Sequence, residues 1–79
     1  MDTRERIAQI FREALFIEVP SPTTDIVETG LLDSLAFVTL LFEIEQRFAV
    51  TIPPEELDIE SLRTVQRIAS LVDALTVAR

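Results

Sequence analysis

Glu28-Thr29-Gly30-Leu31-Leu32-Asp33-Ser34-Leu35 closes a long irregular segment and opens the most apolar helix of the chain. Gly30 is the single glycine in 79 residues. Lacking a Cβ, it can take positive φ or admit a second backbone at close range, which other residues do poorly. Asp33 and Ser34 then stand where a helix takes its N-cap, just ahead of Leu35-Ala36-Phe37-Val38. A hydroxyl at that point is expected to be exposed and near the positive end of a helix dipole. A phosphodiester built on it would be tolerated there. Ser34 is therefore the candidate for covalent modification, although a serine at a helix start, taken alone, is far more often a plain cap.

Downstream of this stretch the second helix is predicted from Asp33 or Ser34 to about Phe48. Its apolar residues cover more of the helical wheel than one core stripe needs. At about 100° per residue, Phe37, Leu40, Leu41, Ile44 and Phe48 form one group, assigned to the core. Leu35 and Phe42, with Val38 nearby, form another. That second group either lies under the long loop or stands partly exposed beside Ser34 as a docking patch for a partner.

Upstream, a first helix is expected over about 3–16. Asp2 or Thr3 can cap it, and Ile7, Ile10, Phe11, Ala14 and Leu15 recur at helical spacing. The intervening loop, about 17–32, is broken by Pro20 and Pro22 and is long enough to suggest a functional role. Ile26, Val27, Leu31 and Leu32 should fasten it to the core, with a short helical turn around 24–27. After the second helix, 49–54 reads as extended, with Pro54 at the first position of a turn through Leu57. A short third helix is expected over 58–62, capped by Asp58 and anchored by Ile59 and Leu62. The last helix is expected from Thr64, its cap, to about Leu75, on the stripe Val65, Ile68, Ala69, Val72 and Leu75, with the ends from Val77 fraying. Three main helices, one short helix and no strand-period segment give a small all-α four-helix bundle, a single domain over 1–79 that is ordered over about 3–76.

Composition narrows the function. There is no cysteine or histidine, so stability must come from packed helices rather than from disulfides or the usual zinc ligands. The net charge is −7, from fourteen acids against seven basic residues, all arginine. Nucleic acid and anionic membrane surfaces are disfavoured, and basic patches on protein partners are favoured. The N-terminus leads into no secretory segment, and the run from Leu35 to Phe42 is too short to span a bilayer. A cytoplasmic monomer is expected. Without histidine, cysteine, lysine or tyrosine, the usual general bases, thiolates and Schiff-base amines are missing. One glycine cannot build a phosphate-cradling loop, and no stretch has calcium-loop spacing. The chain reads as a non-enzyme with no metal site.

The stretch around Ser34 resembles the attachment motif G-x-x-D-S-L of acyl and peptidyl carrier proteins. Leu62-Arg63-Thr64-Val65-Gln66-Arg67-Ile68 resembles the junction between the short and last helices of the same family. The resemblance runs from about Arg4 to Leu75 and implies the acyl-carrier-protein fold. It implies that a phosphopantetheinyl transferase, using coenzyme A and magnesium, attaches 4′-phosphopantetheine to Ser34, flanked by Asp33. The arm's thiol would then hold an acyl or aminoacyl thioester. A loading ligase, adenylating enzyme or acyltransferase would charge it, and downstream synthase or tailoring enzymes would receive the cargo.

One departure matters. Carriers of dissociated bacterial fatty acid synthesis look more acidic along this helix. Here Leu35-Ala36-Phe37-Val38-Thr39 follows the serine, which is closer to stand-alone carriers of aminoacyl or specialised-metabolite pathways, D-alanyl carriers included. Docking is accordingly expected through Leu35, Ala36, Phe42, Ile59 and Leu62, with Glu43 adding charge. The length and Met1 favour a stand-alone protein. The competing readings are an unmodified carrier-like helical module and a regulatory acidic domain, each binding a basic partner protein.

Overall fold

The computed structural model describes residues 2–77. Three helices form the body: α1 (Thr3–Ala14), α2 (Ser34–Phe48) and α3 (Val65–Val77). Two 3₁₀ turns, Pro54–Glu56 and Glu60–Leu62, lie between α2 and α3. Among the described residues there is no strand. The chain is all-α, as its periodicity predicts.

The Asp2 carboxylate accepts the N–H of Glu5 at 2.9 Å and starts α1. Ile7, Ile10 and Phe11 are fully buried. The helix stops two residues short of the expected Phe16. Phe16 takes φ +57, and this left-handed residue turns the chain so that the Ile17 N–H reaches the Phe11 carbonyl at 2.9 Å. At the far end of α2, Ala49 is left-handed too, with φ +53. There the Arg6 guanidinium donates to the Arg47 carbonyl at 3.1 Å and lies 4.0 Å from the centre of the Phe48 ring. A cation at a helix C-terminus and over an aromatic face is favourable on both counts.

Of the five residues assigned to the core side of α2, Leu40, Ile44 and Phe48 are buried, while Phe37 and Leu41 are half-buried. The following segment is extended and alternates: Val50 and Ile52 are buried, Thr51 is exposed. Glu45 secures it by accepting the Ile52 N–H at 2.9 Å. Pro54 opens the first 3₁₀ turn, where its missing N–H is harmless.

The short third helix is reduced to the three-residue 3₁₀ turn Glu60–Leu62. Asp58 does cap it, accepting the Ser61 N–H at 2.7 Å. Leu62 is anchored in the core, but Ile59 is exposed, so one turn holds one anchor rather than two. Thr64 caps α3 through the Arg67 N–H at 3.0 Å. Val65, Ile68, Ala69 and Val72 are buried, and Leu71 and Leu75 pack against them. The helix runs past Leu75 to Val77, so Val77 is helical rather than frayed; residues 78 and 79 lie outside the described residues.

The loop over 15–33 is tied down by its middle. Asp25 Oδ1 accepts the N–H groups of Val27 at 3.0 Å and Glu28 at 2.8 Å. The turn therefore begins after Asp25 and covers 26–29, two residues later than expected. Ile26 is fully buried; its N–H donates to the Arg63 carbonyl and its carbonyl accepts from the Leu32 N–H, both at 2.9 Å. Gln66 N–H donates to the Pro22 carbonyl at 2.9 Å. Gly30 closes the turn with φ +76, and a Cβ there would meet nothing within 4 Å. Its role is the left-handed turn, not close approach of another backbone.

The Glu28 backbone N–H and then the Arg63 guanidinium hold the Asp25 carboxyl below the usual carboxylate range. A carboxylate whose folded value is depressed stabilises the fold above its unfolded value of about 4, and that stabilisation is lost as pH falls through the folded value. Asp25→Asn keeps an oxygen for the turn and removes the titration. Thermal melts at pH 7 and pH 3 are expected to differ less for Asp25→Asn than for wild type. An unchanged difference would show that Asp25 carries none of the acid sensitivity.

Candidate functional site

The long loop hands over to α2 through Asp33. This residue, not Ser34, is the cap: its carboxylate accepts the Ala36 N–H at 2.8 Å, and its carbonyl accepts the Phe37 N–H at 2.8 Å. Ser34 is the first helical residue and is exposed. Among the described residues its hydroxyl is engaged by no hydrogen bond. The two roles that the sequence left shared are thus divided. The aspartate satisfies the helix end, and the serine oxygen is left open to solvent.

Beside Ser34 a cleft of about 340 Å³ opens between the loop, α2 and the second 3₁₀ turn. Its walls are apolar: Val27 and Leu32 from the loop, Phe37 and Val38 from α2, Ile59 and Leu62 from the turn, with Asp33 and Ser34 alongside. An apolar cleft next to a free hydroxyl can receive a flexible chain joined to that oxygen.

The candidate docking residues divide by exposure. Leu35 is 77% exposed and Phe42 58%, so the second apolar group of α2 faces solvent and does not lie under the loop. Val38, at 63%, joins them at i, i+3 and i+7, and Ile59, at 56%, stands across the cleft. Ala36 is half-buried. Leu62 is 1% exposed and belongs to the core, so it backs the cleft and presents no side chain to a partner. Glu43 is engaged by Arg47 at 3.0 Å, which Glu13 also holds at 3.0 Å, so Glu43 offers little free charge.

The sequence reading set Val38 beside Leu35 and Phe42 but did not name it as a docking residue, which its 63% exposure makes it a candidate for. It also missed Val27, Leu32 and Phe37 as walls of the cleft. They looked like plain core anchors, and nothing in their spacing shows a gap between elements.

The family model described as "Phosphopantetheine attachment site" matches residues 5–72, a span that includes the open serine, its cap and the cleft. The chain belongs to the phosphopantetheine-binding carrier proteins. A D-alanyl carrier protein of Streptococcus suis (strain 98HAH33) is 39% identical over 72 residues, covering 89% of this chain and 90% of its own length. A D-alanyl carrier protein of Listeria welshimeri is 36% identical over 77 residues, covering 95% of this chain and 99% of its own. As a phosphopantetheine-binding carrier the chain is not a catalyst, and its prosthetic group is covalent. The residues fit that group. An oxygen free to be esterified stands at a helix N-terminus, where a phosphodiester's charge is favoured. The neighbouring walls are apolar. When bound, the group supplies the thiol that this cysteine-free chain lacks.

Proposed function

We propose that Ser34 Oγ is the attachment point and that the chain holds an acyl or aminoacyl group there as a thioester. It delivers this cargo between biosynthetic enzymes of aminoacyl transfer or specialised metabolism. The observation that carries the reading is the division of labour at the head of α2, where Asp33 caps and leaves the serine hydroxyl open. The D-alanyl carrier relatives favour an amino acid, of the D-alanyl kind, as the cargo.

In the attachment step Ser34 Oγ forms a new P–O bond to the phosphopantetheine phosphate of coenzyme A. The pyrophosphate bond breaks, the nucleotide half leaves, and the hydroxyl proton passes to a base of the transferase. This chain's own part is to present the oxygen, to keep the Asp33 carboxylate on the Ala36 amide, and to offer a recognisable surface. Partners are a phosphopantetheinyl transferase, a loading ligase or other adenylating enzyme, and the enzymes that take the cargo. They dock on Leu35, Val38 and Phe42 with Ile59 across the cleft. The domain works as a cytoplasmic monomer, and no helix among the described residues is long and apolar enough to cross a membrane.

Intact mass after incubation with coenzyme A, magnesium and a broad-specificity transferase is expected to rise by one phosphopantetheine. Adding D-alanine, ATP and a D-alanine-activating ligase should add one alanyl group to that product. No mass gain with several transferases would favour the unmodified interaction module. Gain of the arm without alanyl loading would leave a carrier of some other acyl or aminoacyl group.

Phe42 tests the docking surface. Phe42→Ala removes a largely exposed ring, so melting should shift little, within the range of about 0.5 kcal/mol usual for surface changes. The loading enzyme's KM for the carrier should rise several-fold. Destabilisation comparable to that of a buried phenylalanine would place the ring in the core.

A further inference from the structure

We propose that Arg63 is a positioning residue for Ser34, acting with Asp25 as a bracket that sets the spacing of the two walls beside the serine. The inference rests on the reading of Ser34 as the attachment point.

Arg63 stands between the second 3₁₀ turn and α3, and it makes contacts to both the loop and that turn. Its Nη1 donates to Asp25 Oδ2 at 2.8 Å. Its Nη2 lies 3.0 Å from Glu60 Oε1, on the turn just after Ile59. Its backbone carbonyl accepts the Ile26 N–H at 2.9 Å. Asp25 fixes the turn over 26–29 with its other oxygen, and the Ile26 carbonyl takes the Leu32 N–H one residue before the cap Asp33. A short run of contacts thus leads from the guanidinium to the head of α2. The loop that Arg63 binds contributes Val27 and Leu32 to the lining of the cleft, and the segment around Glu60 contributes Ile59 and Leu62. No other side chain among the described residues ion-pairs the loop over 15–33 to the segment after α2.

The pair is half-buried and lies outside the apolar core. The Arg63 side chain is 30% accessible and that of Asp25 25%, while fourteen apolar residues form the core without either. An ion pair still open to water in part contributes modestly to stability. What this one can contribute is geometry. A transferase that must meet Ser34, Val38 and Ile59 as one surface will find them misplaced when the walls drift, and small misplacements are costly in rate.

The test compares Arg63→Gln, Arg63→Lys, Asp25→Asn and a control, Glu13→Gln. The control breaks the Arg47–Glu13 pair on α1 and α2, away from the loop. Transferase kinetics with coenzyme A and amide hydrogen exchange are measured on each. Arg63→Gln and Asp25→Asn are expected to lower kcat/KM for modification about tenfold, through KM rather than kcat. Exchange should speed up at Ile26 and Leu32 and stay unchanged in α1. Arg63→Lys should recover part of the rate, and Glu13→Gln should match wild type. Modification of Arg63→Gln at the wild-type rate, or an equal loss in Glu13→Gln, overturns the bracket and leaves Ser34 as the attachment point. Failure of wild type itself to gain the arm overturns both.

Discussion

Ser34→Ala is expected to gain no mass under conditions that convert the wild-type chain completely, while its far-ultraviolet circular dichroism and melting temperature stay close to wild type. The structure separates the two effects. Chemistry needs the hydroxyl, and this chain has no cysteine on which to hold a thioester. Stability does not need it, because the cap is the neighbour: Asp33 accepts the Ala36 N–H, whereas Ser34 is exposed and its hydroxyl bonds to no described residue. Asp33→Ala should therefore be the costlier change for the fold, by about 0.5–2 kcal/mol, the usual loss for a capping side chain. If Ser34→Ala still gained one phosphopantetheine, another hydroxyl would be the attachment point. If it unfolded the domain, the serine would be a structural residue and the carrier reading would lose its centre.

Phe11→Ala is expected to cost about 3–5 kcal/mol, measured by urea unfolding. Phe11 is the largest fully buried side chain, on the helix that packs against both α2 and α3. Its removal leaves a cavity that three helices must collapse to fill. Small domains have about 5–15 kcal/mol in all, and this one has no disulfide to limit the unfolded chain. A substantial unfolded population at 37 °C should follow. Phe16→Ala is the natural contrast, since that ring is 88% exposed. A loss below about 1 kcal/mol at Phe11, smaller than for burial of any large side chain, would contradict the packing described above.

Periodicity was enough to read the helices and most of the core. Ile7, Ile10 and Phe11, Leu40, Ile44 and Phe48, and Val65, Ile68, Ala69 and Val72 lie where the apolar spacing puts them. The ends were less legible, because they depend on single backbone angles. Phe16 is an ordinary helix residue by composition, yet it ends α1 in a left-handed conformation that favours glycine. The third helix failed for a related reason: a run that holds only Leu62 in the core cannot sustain more than one turn. The serine motif was legible as a motif, but Asp33 and Ser34 both suit a cap by residue type, and only the carboxylate's reach to Ala36 assigns the role. The bracket was not legible at all. Asp25 and Arg63 are distant in sequence, and no local pattern pairs them.

The links from Arg63 to Asp25 and Ile26 have a bearing on when the serine becomes usable. A ribosome makes residue 34 well before it makes residue 63, and the tunnel delays that arginine further. Throughout this interval the growing polypeptide contains the motif but lacks the contacts that frame it. Closing a loop of that span is also among the last things a collapsing chain completes, since the entropic cost falls due before the contacts reward it. On the proposed reading, a translation product that stops before residue 63 carries the serine motif without the Arg63 contacts that frame it.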